Sequence, residues 1–148
     1  MAFLLFTGLM LFALMVGRSV IAQDWRTAST APVGLAPDPA ATPEAVVQVY
    51  GARTWGWRGN FGVHTWVAVK LENADAYTVY EVIGWCLRWS DTVVAIHQRA
   101  ADARWYGNAP ELYAEKRGDE AEKLIPRIDA AARSYPHANE YSAWPGPN

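Results

Sequence analysis

The run VHTWVAVK at residues 63–70 constrains the fold more than any other part of the sequence. β-Branched and aromatic residues dominate it, and apolar residues occupy both alternating sets of positions. This pattern is typical of a strand that is buried on both faces, or nearly so. The preceding residues carry Gly56, Gly59 and Gly62, which are too many glycines for the interior of a strand. We therefore predict a loop over residues 55–62 that leads into a central strand.

His64 lies where this loop enters the strand, and a loop carried by a rigid strand is a common position for catalytic groups. Two interpretations are open: a general base, or a core histidine bonded to a backbone carbonyl. Trp55 and Trp57 would share one face of an extended segment. Together with Arg58 they are candidates for a surface that binds a sugar ring or a peptide, and packing in the core is the alternative.

Composition excludes several classes of function. The net charge is −2 and the basic residues are dispersed, so we expect no nucleic-acid partner. The single cysteine, Cys86, excludes an intrachain disulfide and a cysteine-rich zinc site. Cys86 is interpreted as a small apolar residue within a strand. The histidines lack the spacing of metal ligands, and we expect neither a metal nor a cofactor.

The N-terminus predicts a membrane segment over residues 1–23. Residues 1–17 carry no charge and would form an apolar helix about 25 Å long, the short limit for crossing a bilayer. An uncleaved anchor and a signal peptide cut after Ala22 are both possible, and the length of the apolar run favours the anchor. Arg18 and Arg26 follow the run, which favours a cytoplasmic C-terminal side, yet we expect an extracytoplasmic domain. Residues 24–43 contain four prolines and are predicted to be an extended linker.

The folded domain is predicted to span residues 44–148. Short connections between its strands favour antiparallel pairing. Glu81, within an apolar strand, is interpreted as an outward-facing position. The predicted strands cover residues 45–52, 63–70, 77–85 and 92–97.

Two C-terminal helices complete the prediction. Helix-capping signals and an apolar stripe predict them over residues 109–117 and 119–135, with Pro126 kinking the second or shifting its start. The expected fold is therefore α+β, with an antiparallel sheet of four or more strands packed on two C-terminal helices, behind an N-terminal transmembrane or signal helix.

Five segments together resemble the bacterial family known as domain of unknown function 3750. They are TWGWRGNFGVHTWVAVK, YTVYEVIGW, WYGNAPEL, AEKLIPRIDAAARSYPHANEY and the terminal WPGPN. The resemblance covers most of residues 44–148. Family members usually continue with a Ser-Asn-Thr-Phe segment past the position of Asn148, which suggests that this chain is truncated at its C-terminus.

The resemblance implies a remoter kinship. The order of elements is similar to that of the circularly permuted papain-like hydrolases and acyltransferases related to the NlpC/P60 group. That similarity puts His64 at the position of the general base and Asn148 just before the position of the nucleophile. In this family the nucleophile position would hold serine, which lies beyond the end of this sequence.

We accordingly expect a membrane-anchored bacterial envelope protein, single-pass in the inner membrane with a periplasmic domain, or secreted to the periplasm if the signal is cleaved. Its expected role is a non-catalytic binding or structural domain of papain-like descent. Trp55, Trp57, Arg58 and Asn148 would contact a peptidoglycan, peptide or envelope-protein partner. The alternative is a hydrolase or acyltransferase that uses His64 as general base with a nucleophile beyond Asn148.

Overall fold

The computed structural model describes residues 24–143 and residue 146. Five strands form one sheet in the order β4-β3-β2-β1-β5, and every neighbouring pair is antiparallel. One helix follows the last strand. This architecture confirms the α+β class and the antiparallel sheet. The elements are β1 Val46–Arg53, β2 Val63–Lys70, β3 Thr78–Val82, β4 Val94–Gln98, β5 Glu111–Arg117 and α1 Asp119–Arg133.

The prediction of a helix over residues 109–117 is wrong, because this stretch forms β5. It pairs along β1 from Val46↔Arg117 to Gly51↔Glu111 and completes the sheet on that side. Every residue of β5 is exposed, and the composition of the strand is that of a solvated helix. Intrinsic helix and strand propensities are both weak, so pairing with β1 decides the conformation of this stretch.

The structure contains one of the two predicted helices, α1. It covers Asp119–Arg133, so that Gly118 rather than Asp119 is the N-cap residue and the helix ends two residues before Tyr135. Its first turn contains three acidic residues. Acidic side chains are favourable there because the helix dipole is positive at its N-terminus. Pro126 lies inside α1 without ending it.

The third predicted strand ends earlier than expected, at Val82. The chain then forms a short 3₁₀ helix, Gly84–Arg88, which contains Cys86. The placement of Cys86 in a strand is therefore wrong, and the residue is half-buried.

The sheet buries apolar residues on both faces, as the pattern of β2 predicts. On one face Tyr50, Trp66 and Val79 form a core without α1. On the other face Val47 and Val69 pack against α1, through residues that include Ala121 and Ile125. Trp66 is 2% exposed and Val69 is 3% exposed, so β2 contributes to both layers.

The segment expected to be a linker contacts the first of these faces. The backbone N–H groups of Leu35 and Ala36 donate to Asp102 Oδ2 at 2.6 and 3.3 Å. The hydroxyl of Tyr77 donates to the carbonyl of Pro37 at 3.1 Å. Residues 24–43 thus supply part of the cover over the sheet face that lies opposite α1.

The predicted membrane segment, residues 1–23, lies outside the described residues. Within residues 24–143, no helix has the length and apolar character needed to cross a bilayer.

Candidate functional site

The centre of the candidate site is a buried carboxylate, Glu81 on β3, whose side chain is 1% exposed. Its Oε2 accepts a hydrogen bond from His64 Nε2 at 2.6 Å, and its Oε1 accepts one from His97 Nε2 at 2.6 Å. Arg99 reaches both oxygens, through Nε to Oε1 and Nη2 to Oε2, each at 3.4 Å. These four residues are called the Glu81 cluster below.

Strand register explains why the cluster forms. Glu81 lies opposite Trp66 of β2 and opposite Ala95 of β4. His64 is two residues from Trp66, and His97 is two residues from Ala95. Residues two apart on a strand point to the same face, so both imidazoles reach Glu81 diagonally from the neighbouring strands. Three strands that are consecutive in the sequence therefore place the cluster on the face opposite α1.

Glu81 is not an outward-facing residue, and the prediction that it is solvated is wrong. Burial by itself would raise the pKa of this carboxyl group. The hydrogen bond from His64 and the positive charge of Arg99 outweigh the cost of burial and lower the pKa of Glu81 to about 2. The carboxylate is therefore ionised at neutral pH.

An ionised carboxylate can only accept hydrogen bonds, which assigns the tautomer of the neutral imidazole. Nε2 of His64 must carry the hydrogen that is donated to Glu81. Nδ1 then holds the lone pair. In the described part of the chain, His64 Nδ1 has no hydrogen-bond partner, so it can accept a proton from a ligand or from water. The interpretation of His64 as a core histidine bonded to a carbonyl is wrong, since its partner is a carboxylate.

Trp105 covers His64. The two rings are stacked, with centroids 3.5 Å apart and planes 16° apart. A second indole, that of Trp66, lies 5.8 Å from the same imidazole and also contacts Arg99, whose Cζ is 4.8 Å from the Trp66 ring centroid. The side chain of His64 is consequently only 11% exposed.

A two-residue turn holds Trp105 in this position. The backbone groups of Trp105 and Asn108 exchange hydrogen bonds of 2.9 and 3.0 Å across Tyr106 and Gly107. The φ angles of Tyr106 and Gly107 are 46° and 90°, as a type I′ hairpin turn requires. Tyr106 occupies the left-handed region, which is uncommon for a residue with a side chain and is often found at functional sites. The Asn108 side chain donates to the carbonyl of Arg53 at 3.0 Å and ties the turn to the end of β1.

Residues of the Glu81 cluster contribute to the walls of two cavities, and Glu81 belongs to both. The larger, called the groove, has a volume of about 1050 Å³ and runs between the sheet and the C-terminal half of α1. Its walls are mostly apolar, but they include His64, Trp57 and Arg58. The smaller, called the small cavity, has a volume of about 300 Å³ and lies beside His97. Its walls contain two arginines, Arg99 and Arg104, in addition to Glu81.

The structure brings some of the predicted binding residues to the groove. Trp57 is 61% exposed, and the Arg58 guanidinium lies 5.2 Å from its ring centroid. Both belong to a 3₁₀ helix, Gly56–Asn60, rather than to an extended segment. The alternation of side chains along a strand, which would place Trp57 on the same face as the partly exposed Trp55, therefore does not apply here. Asn148 lies outside the described residues.

Sequence reasoning missed His97, Arg99 and Trp105 as members of the site. His97 and Arg99 lie at and just after the end of a predicted strand. Polar residues are common at that position, so nothing in the sequence indicated that these two belong to a site. The available signal was Glu81, a carboxylate in an apolar strand between two strands that each carry a histidine.

Within the described residues, no three His, Cys, Asp or Glu side chains are arranged to hold a metal ion. The guanidinium of Arg99 forms an ion pair with Glu81. Cys86 does not offer an activated thiol, because burial and the charge of Glu81 both raise its pKa.

Comparison with known proteins gives one match. The family described as "Protein of unknown function (DUF3750)" matches residues 44–148. No curated protein and no solved structure matches the chain.

Proposed function

The chain belongs to the DUF3750 family, and from that premise we propose that His64 is a general base for hydrolysis or transfer of an acyl group. The observation that supports this proposal is the 2.6 Å hydrogen bond between His64 Nε2 and the buried carboxylate of Glu81. A carboxylate that orients an imidazole and stabilises its protonated form is the arrangement that proton transfer in acyl chemistry requires. The sequence alone identified no such orienting group for His64.

In the proposed reaction, His64 Nδ1 removes a proton from the attacking hydroxyl of water or of a nucleophile outside the described residues. The oxygen forms a bond to the acyl carbon, and Glu81 stabilises the imidazolium through Nε2. The bond between the acyl carbon and its leaving group then breaks, and His64 returns the proton to the leaving group. With water as nucleophile, the products are the free acid and the protonated leaving group.

The test is hydrolysis by the full chain of a panel of acyl p-nitrophenyl esters and of peptidoglycan fragments. We expect His64→Ala to reduce the rate of a cleaved substrate by roughly 10²- to 10⁴-fold, the usual contribution of general base catalysis. The matched control is His137→Ala, because His137 also pairs with a carboxylate, Glu140, but is 42% exposed. Equal rates for wild type and His64→Ala would refute the proposal.

A second candidate is a non-catalytic envelope module that binds peptide or peptidoglycan in the groove. Its support is the exposure of Trp57 at 61% and of Phe61 at 86% beside Arg58 at one end of the groove. Exposed aromatic and arginine side chains are typical anchors of binding surfaces. Retention of the protein on peptidoglycan or on isolated envelope proteins should fall in Trp57→Ala. It should persist in Trp25→Ala, which removes a similar exposed tryptophan whose ring faces Arg26 at 4.5 Å. Failure of the wild type to be retained would exclude this candidate.

We further propose that residues 1–23 attach the domain to the bacterial inner membrane, with the domain in the periplasm. The support is the uncharged apolar run at residues 1–17. Membrane fractionation with carbonate extraction, together with the intact mass of the native protein, tests this. An anchored protein stays in the membrane pellet, whereas cleavage after Ala22 would reduce the mass and release the domain. A soluble protein that keeps residues 1–23 would contradict both forms of the proposal.

A further inference from the structure

The small cavity combines positive charge with an aromatic wall. Its volume of about 300 Å³ is at the lower end of the range for small-molecule sites. The residues that give it its chemical character are His97, Arg99, Arg104, Trp85, Trp105 and Tyr106.

Positive charge exceeds negative charge in this cavity. Arg99 and Arg104 face a single carboxylate, Glu81. Both oxygens of Glu81 are already occupied by His64, His97 and Arg99. An additional anion would therefore meet hydrogen-bond donors rather than an unsatisfied carboxylate.

Of the two arginines, Arg104 has more guanidinium N–H groups without a hydrogen-bond acceptor in the described part of the chain. Its guanidinium makes one hydrogen bond within the described residues, from Nη1 to the carbonyl of Gly107 at 3.2 Å. Its backbone N–H donates to the carbonyl of Ala31 at 3.1 Å and fixes the residue against the N-terminal segment. The other N–H groups of the guanidinium remain for a ligand, and their planar fork matches a carboxylate or phosphate.

The aromatic wall consists of Trp85, Trp105 and Tyr106. The indoles of Trp85 and Trp105 are roughly parallel, with centroids 5.7 Å apart and planes 25° apart. Tyr106 meets both rings edge-on, at 5.9 and 5.0 Å. Trp85 is 39% exposed, which leaves part of the indole available for stacking. Burial and the charge of Glu81 raise the pKa of Tyr106, so its hydroxyl stays protonated and can donate.

From this arrangement we propose that the small cavity binds an organic anion, in which a carboxylate or phosphate contacts Arg104 and Tyr106 and a planar body stacks on Trp85. The inference does not depend on His64 acting as a base. It assigns a ligand class to a cavity that shares Glu81 with the proposed catalytic pair but does not have His64 in its walls.

The test measures binding of four probes to the full chain by calorimetry and by the NMR signals of the Trp85 and Trp105 indole N–H groups. Benzoate and phenyl phosphate carry both an anion and a ring, acetate carries only the anion, and benzamide carries only the ring. We expect one of the two ring-bearing anions to bind most tightly, and their ratio distinguishes carboxylate from phosphate recognition. Benzamide binding as tightly as benzoate and phenyl phosphate, or absence of binding by all four probes, would overturn the proposal.

Variants locate the site. Arg104→Gln should weaken binding of the preferred anion by about tenfold to a hundredfold, the usual effect of losing a charge-assisted hydrogen bond. Tyr106→Phe should weaken it by a smaller factor, and this variant keeps the ring and the turn intact if Arg104→Gln fails to fold. Arg127→Gln, on the exposed surface of α1, is the matched control. Unchanged affinity in both Arg104→Gln and Tyr106→Phe would refute the assignment. Measuring the same affinities in His64→Ala separates anion binding from the proposed catalysis.

Discussion

Trp105 lies flat against His64, with ring centroids 3.5 Å apart, and so covers the imidazole that Glu81 orients. The contact joins a turn at residues 105–108 to the first residues of β2. It is the closest ring contact among the described residues.

Trp105→Ala should expose His64 and destabilise the domain. We expect the free energy of unfolding to fall by about 1–3 kcal/mol, from lost burial and lost ring stacking. Modification of His64 by diethyl pyrocarbonate, followed by mass spectrometry, should become faster. Trp89→Ala is the control, since Trp89 is 70% exposed. If His64 reacts at the same rate in wild type and Trp105→Ala, the indole does not shield it.

Glu81→Gln should be the most destabilising isosteric substitution in the sheet. It removes the buried charge that pairs with Arg99, whose side chain is only 20% exposed. Removing one partner of a buried ion pair costs about 3–5 kcal/mol. Urea unfolding measures the loss, with Glu111→Gln on the exposed strand β5 as control. A loss similar to that of the control would mean that solvent compensates Arg99.

Acid should unfold the domain partly through Glu81. Its pKa falls from an ordinary value of 4.5 to about 2 in the folded protein, so the native state favours the ionised form. The resulting stability is fully present above about pH 4.5 and is lost as the pH falls towards about 2. Its size is on the order of 3 kcal/mol.

The measurement compares the pH dependence of unfolding in wild type and Glu81→Gln. Other carboxylates also contribute to acid unfolding; for example, the hydrogen bond from Arg117 lowers the pKa of Glu115. Subtracting the two profiles isolates Glu81. A difference between the profiles that is constant from pH 2 to pH 6 would show that the pKa of Glu81 is not depressed.

Gly59→Ala should disturb the 3₁₀ helix that carries Trp57 and Arg58. A Cβ at Gly59 would overlap the backbone carbonyl oxygen of Thr54, which can move away only if the main chain shifts. Such overpacking typically costs about 1–3 kcal/mol. In Gly51→Ala the three atoms nearest to the added Cβ all belong to the side chain of Tyr113, which is 52% exposed and can rotate.

We therefore expect a lower melting temperature for Gly59→Ala than for Gly51→Ala. Retention on peptidoglycan, if present in the wild type, should fall with Gly59→Ala as well. The reverse order of melting temperatures would contradict the close approach of Gly59 to Thr54.

The local pattern of apolar residues was enough to predict four of the five strands. Buried strands show alternating or continuous apolar residues, whereas an amphipathic helix has apolar residues three and four positions apart. β5 could not be predicted in this way. ELYAEKR has the composition of a solvated helix, and only its long-range pairing with β1 makes it a strand. The position of α1 was predictable from its apolar stripe, because the apolar residues of an amphipathic helix recur with helical spacing along the buried face.

The site was harder to predict than the fold. His64 stood out by its position at the junction of a loop and a strand. Its partners did not, because contact between Glu81 and the two histidines depends on the register of three strands. A shift of one residue in that register would send Glu81 to the opposite face. The composition of a strand does not determine its register with its neighbours, and so the environment of Glu81 was predicted wrongly.

The strand order has a consequence for folding. β1, β2, β3 and β4 are neighbours in the sheet and in the sequence, so each pairing closes a short loop at low entropic cost. The Glu81 cluster draws its residues from three of these strands and from Arg99 directly after them. β5 instead pairs with β1 across an intervening segment of the chain that includes all of β2, β3 and β4. The polar cluster can thus assemble within a meander of hairpins, before the slower closure that adds β5 and α1.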